Sequence, residues 1–156
     1  MKTFLKTVAI LFAVACFGAC SENGDDYTPE TEKLEVTPHN ISGYWKLTEI
    51  NKTSLPEGTF CYIEYIRKDK TFKMYHNFDS MYPRCITGVY SIENDKYGKA
   101  ILSGKYDYGM GEWNNKYYVT ELLENSMTLT ADSENAEICK YVRCNEIPAE
   151  VLDEAK

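Results

Sequence analysis

The sequence predicts an all-β fold: an eight-stranded antiparallel up-and-down barrel with a short C-terminal helix. From Gly43 onward eight short segments rich in Tyr, Ile, Val, Thr and Phe follow one another, the composition of strands on a pleated, half-buried surface. Charged or Gly/Asn turns separate them, and no long helical period interrupts them, which suits a meander. So many strands would otherwise present open edges, and closing the sheet on itself removes those edges.

In chain order, the first element stands outside that barrel. Lys2 and Lys6 precede an apolar run from Val8 to Ala19. Those 12 residues fall short of the roughly 20 that cross a bilayer as a helix, so residues 1–19 read as a secretory signal. "FGAC", residues 17–20, resembles the lipobox of bacterial lipoproteins. That resemblance implies a diacylglyceryl group on Cys20, cleavage on its amino side, and membrane attachment through the lipid anchor alone. Cys16, after "AVA", is a rival acylation site, but cleavage there would leave Phe17, Gly18 and Ala19 on the mature end. Ser21 after the cysteine favours the outer membrane, again by resemblance.

Residues 20–40 read as an acylated cysteine and an acidic tether, because "SENGDDYTPETEKLEVTP" buries too little apolar surface to fold. The tether also resembles the acidic export signal of surface-displayed lipoproteins, so display at the cell surface and residence on the periplasmic face both stay open. Removal of residues 1–19 leaves 137 residues, one domain with a real core, in which 15 cations face 24 acids for a charge of −9. Such a body is repelled by nucleic acid and by anionic lipid, which excludes both as expected partners.

The barrel is expected over residues 41–148, with strands at 44–50, 61–68, 71–78, 85–92, 99–106, 116–123, 127–131 and 137–144. "KDK" (68–70) and "ENS" (124–126) are short enough for hairpins, and "ENDKYG" (93–98) supplies residues that tolerate left-handed backbone. Alternation turns Phe72, Met74, His76 and Phe78 inward on the third strand, and Met127, Leu129 and Ala131 on the seventh. Trp45 with Leu47, Ile63 with Tyr65, and Gly88 with Tyr90 and Ile92 join them. The fifth and sixth strands carry apolar residues in both registers, as a bulge would produce. Residues 149–156 follow Pro148 and form a short terminal helix or tail.

Gly43, Tyr44 and Trp45 at the start of the first strand resemble the first motif of the lipocalins, and Arg143 on the last strand matches the arginine that packs across the indole. The segment from Ile41 to Pro148 is similar to the lipocalin-like domain of bacterial lipoproteins, with "YIEYIRKDKTFKMY", "GVYSI", "SMTLT" and "YVRCNEIP" in order. The threonine-aspartate-tyrosine motif of transport lipocalins has no counterpart. The resemblance implies a calycin-type barrel in which Trp45 and Arg143 plug one end through cation–π attraction.

An eight-stranded barrel either fills with its own side chains or holds one small ligand. A pocket among Tyr65, Phe72, Met74, His76 and Tyr90 would take a small, partly apolar molecule. A second reading places surface glycans on an aromatic platform of Trp113 and Tyr108 in the loop "YDYGMGEWNN", unless Trp113 folds back as packing. A third is an accessory, partner-binding lipoprotein with a filled barrel. The protein is expected to be monomeric.

Cys61, Cys85, Cys139 and Cys144 permit disulfides in an oxidising compartment. In a meander the first three fall near one end and Cys144 near the other, which favours a bridge from Cys61 to either Cys85 or Cys139. No CxxC spacing points to zinc or redox chemistry. Serine elbow, glycine-rich phosphate loop and HExxH are absent, and only His39 and His76 could serve a histidine-based site. The expectation is a protein without catalysis, metal or cofactor.

Overall fold

The computed structural model describes residues 32–80 and 82–155. The expected signal segment, Cys16, Cys20 and the expected tether up to residue 31 lie outside the described residues. Helix α1 spans Pro38–Ile41 and is followed by strands β1 (Gly43–Ile50), β2 (Thr53–Ser54), β3 (Cys61–Ile66), β4 (Thr71–His76) and β5 (Arg84–Asn94). Strands β6 (Ala100–Tyr106), β7 (Tyr117–Leu122), β8 (Ser126–Ala131) and β9 (Ile138–Cys144) complete the sheet, and helix α2 covers Ala149–Glu154. From β3 to β9 each strand pairs antiparallel with the next, and β1 pairs with β2, β3 and β9, so β1 and β3–β9 close an eight-stranded barrel with β2 as an added ribbon on β1.

Local chemistry sets the turns. Asn51 and Lys52 both take positive φ (51° and 65°) and fold β2 back onto β1. Between β5 and β6, Asp95 accepts the amides of Tyr97 and Lys99 at 2.8 Å each, which fixes an Asx-type turn at the expected "ENDKYG".

Inward residues of all eight barrel strands contribute to one core, with Trp45, Tyr65, Phe72, Leu102, Leu122, Met127, Leu129 and Tyr141 among them. The two strands of unresolved phase now have one. Leu102 and Tyr106 face inward on β6; on β7, Tyr117 and Val119 do so, and a register slip between Val119 and Glu121 brings Leu122 inward as well. That slip is why both parities of β7 are apolar.

Two expectations change. The third strand ends at His76 because the Asn77 side chain takes over: its Nδ2 donates to Gly58 O and its Oδ1 accepts the Phe60 amide. Phe78 therefore lies past the strand, 49% exposed, rather than in the core. The tether is shorter than residues 20–40, since Leu34 and Val36 pack on the core and the Leu34 amide donates to Leu122 O at 2.8 Å. Thr37 then caps α1, accepting the Asn40 amide on its hydroxyl. The expected C-terminal helix forms and covers the outer wall, where Ile147 and Val151 bury Tyr62 and Tyr75 in a second apolar cluster. This outer cover explains why β3, with its core face inside and Tyr62 outside, is buried on both sides.

Candidate functional site

One end of the barrel is closed by a layered plug. Trp45 is fully buried, and its Nε1–H donates to Ile41 O at 2.7 Å. The Arg143 guanidinium lies 4.1 Å from the centre of the Trp45 ring, on the residue paired with Trp45 in the β1–β9 ladder. Its three nitrogens donate to Glu124 O, Ser42 O and Asn40 O at 2.7–2.8 Å. The stacked guanidinium thus ties α1 and the β7–β8 turn to the last strand. Gly43 belongs to the same device: its φ is +112°, and a Cβ there would sit 2.9 Å from Arg143 Nη1.

The lumen above the plug holds a cavity of about 320 Å³. Its wall is built by Ile63 and Tyr65 from β3, Phe72 and Met74 from β4, Tyr106 from β6, Tyr117 from β7, Leu129 from β8 and Tyr141 from β9. Trp113, Asn114 and Asn115 from the β6–β7 loop and Glu137, just before β9, form its mouth. The rings meet at steep angles: Phe72 and Trp113 are 5.2 Å apart at 74°, Phe72 and Tyr106 6.0 Å at 70°, Trp113 and Tyr117 6.2 Å at 71°. Such edge-to-face contacts leave ring faces available as walls.

Burial pushes the hydroxyl pKa values of Tyr65, Tyr106, Tyr117 and Tyr141 up, most strongly for Tyr65 and Tyr141, so all four stay neutral at physiological pH. Among the described residues, Tyr65 Oη, Tyr90 Oη and Trp113 Nε1 are buried polar atoms without a hydrogen-bond partner in the protein. A buried hydroxyl left unpaired costs about 1–3 kcal/mol, so these atoms are poised for a polar partner.

Of the residues expected in the pocket, Tyr65, Phe72 and Met74 line this cavity, whereas His76 and Tyr90 do not. His76 ends β4 at the rim, where its Nδ1 lies 3.4 Å from the Phe78 amide and 3.9 Å from Asp79, and its ring stacks near Phe78. Burial lowers its pKa; nearby Asp79 works the other way, and Arg84 adds to the lowering. Tyr90 packs edge-to-face on Tyr65 and borders a separate outer cleft of about 300 Å³ beyond Trp113.

The proposed glycan platform does not assemble. Trp113 packs its indole against the backbone of Gly104, where a Cβ would come within 2.4 Å of the ring, while Tyr108 is 95% exposed at the loop tip. A larger cleft of about 690 Å³ lies elsewhere, bordered by residues 35 and 36, the β5–β6 turn, residues 118–120 of β7 and Thr130 of β8. It shares none of the three orphaned polar atoms. Tyr106, Tyr117, Tyr141, Leu129, Asn114, Asn115 and Glu137 were missed as cavity residues. The phase ambiguity of β6 and β7 hid the first two, and the parity of Tyr141, shared with Cys139 on the last strand, was the signal that could have found the third.

All four described cysteines are free thiols. The two candidate bridges fail on register. Cys61 pairs with His76 and Cys85 with its neighbour Tyr75, so the two thiols point to opposite faces of the wall. Cys61 and Cys139 both face the core, but β1 runs between their strands. Two strand spacings amount to about 9 Å, beyond the roughly 7 Å between Cα atoms that a disulfide can span. Burial pushes both thiols up to about 12. No group of three or more His, Cys, Asp or Glu among the described residues is arranged to hold a metal ion.

The profile of a family described as the lipocalin-like domain matches residues 41–129, more than half of the chain. No curated protein matches it.

Proposed function

The chain belongs to the lipocalin-like domain family, and from that premise we propose that it binds one small, partly apolar molecule in the lumen above Trp45 and performs no catalysis. One observation carries this reading: an aromatic cavity of about 320 Å³ whose wall includes the buried, unpaired Tyr65 hydroxyl. That volume is at the small end of ligand pockets, which run about 300–1,000 Å³. A barrel serving only as a partner-binding scaffold gains nothing from an unfilled core with an orphaned hydroxyl.

The test is cavity filling. Leu129→Phe places extra volume in the wall at a strain of about 1–3 kcal/mol. The variant should keep the strand spectrum while losing any ligand-induced rise in melting temperature seen in a thermal-shift screen of small apolar and amphipathic compounds. Ligand stabilisation that survives the filled lumen would move the site elsewhere on the molecule.

We further propose that the protein is a lipoprotein of the outer membrane, held through diacylglyceryl-Cys20. Support comes from the lipobox-like "FGAC" and the acidic stretch after it. The described chain also joins the barrel near its closed end, where Leu34 bonds to Leu122, opposite the mouth. Cys20→Ser should shift the protein from the membrane to the soluble fraction. Full retention in the membrane fraction would refute this address.

A further inference from the structure

We propose that the lumen ligand is a small organic cation, an alkyl- or arylalkyl-ammonium, held by an aromatic cage and neutralised by Glu137. The inference rests on the lumen-binding reading and narrows it to one chemical class.

Charge inventory is the first argument. Among the described residues no lysine, arginine or histidine lines the cavity, and Glu137 at its mouth is the one acidic side chain in its wall. The tyrosines lining it carry no charge at neutral pH, so they add no second charge. A carboxylate ligand would meet Glu137 and have no cation to pair with, whereas an ammonium finds its counter-ion in place. The chain's net charge of −7 favours approach of cations for the same reason.

Ring geometry is the second. Phe72, Trp113 and Tyr117 stand nearly perpendicular to one another in sequence, at 74° and 71°. An ammonium seated among rings set at such angles can lie over more than one negative ring face, which attracts a desolvated cation. The third is the orphaned Tyr65 hydroxyl, 98% buried in the cavity wall, whose oxygen can accept a hydrogen bond from an N–H of the ligand. Glu137 is set for its task locally, accepting the Cys139 thiol at 3.4 Å on one carboxylate oxygen.

Three ligands of one shape separate the possibilities: 2-phenylethylammonium, 2-phenylethanol and phenylacetate, titrated into the purified protein at neutral pH and low salt by calorimetry and tryptophan fluorescence. The ammonium should bind at least about tenfold more tightly than the alcohol, which is the scale of one desolvated cation–π contact, with phenylacetate weakest. Glu137→Gln, which keeps an acceptor for the Cys139 thiol, should cost the ammonium about tenfold and the alcohol much less. Equal affinities for all three, or tighter binding of phenylacetate, overturn the cationic class while the lumen-binding reading stands. Preference for the ammonium that is untouched by Glu137→Gln overturns the role of that carboxylate. Failure of all three to bind overturns both readings.

Discussion

Arg143 joins three separate segments to the last strand through one ring stack and three hydrogen bonds. Replacing it with leucine removes the stack on Trp45 and leaves the carbonyls of Asn40, Ser42 and Glu124 without their donor. Part of the site is wet, so the expected loss is about 2 kcal/mol in urea unfolding, below the sum of the separate contacts. His76 gives a pH dependence of definite sign. Its folded pKa lies below the unfolded value because burial disfavours the imidazolium. The unfolded chain therefore binds the proton more readily, so the contribution is present above about pH 6.5 and is lost as pH falls through that value toward the folded pKa. Unfolding curves at pH 7.5 and pH 5 should show a smaller acid loss for His76→Gln than for the natural protein; equal losses would remove His76 from the account. At this scale Trp45 and Arg143 could be read from the chain because a glycine, an indole and a guanidinium form a short motif with distinctive chemistry. His76 misled because alternation assigns a face, not a height in the barrel.

Among the elements, α2 shows how a short segment gains weight from what it covers. Ile147 and Val151 are 5% and 6% exposed over Tyr62 and Tyr75. Deleting residues 147–156 exposes that cluster and should cost about 3–6 kcal/mol, from two buried aliphatic side chains at about 1.5–3 kcal/mol each. Chemical denaturation measures the loss, and tyrosine fluorescence reports the newly wetted rings. The eight barrel strands were legible because each is a separate run of β-branched and aromatic residues. β2 was not, being two residues long and defined by the left-handed Asn51–Lys52 turn. Helix α1 and the packed segment at Leu34 and Val36 were hidden inside a stretch that is polar on average, where two apolar residues matter only through what they meet.

At the scale of the described chain, the barrel owes none of its stability to cross-links among the described cysteines. Dithiothreitol should accordingly leave the melting temperature unchanged, whereas loss of a native disulfide from a domain of this kind typically costs 2–5 kcal/mol. A drop on reduction would show that the barrel can bring two of these thiols together. The chain by itself determined the class, the closed sheet, the plug and the inward phase of most strands, since period-two alternation and turn chemistry are local properties of neighbouring residues. Tertiary structure alone decided which inward side chains border the cavity, that Trp113 turns onto Gly104 and not into solvent, and that Glu137 stands at the mouth. Those outcomes depend on strand stagger around a closed ring, on a one-residue slip in β7 and on the fit of an indole over a missing Cβ. None of these is encoded within the span of a single strand.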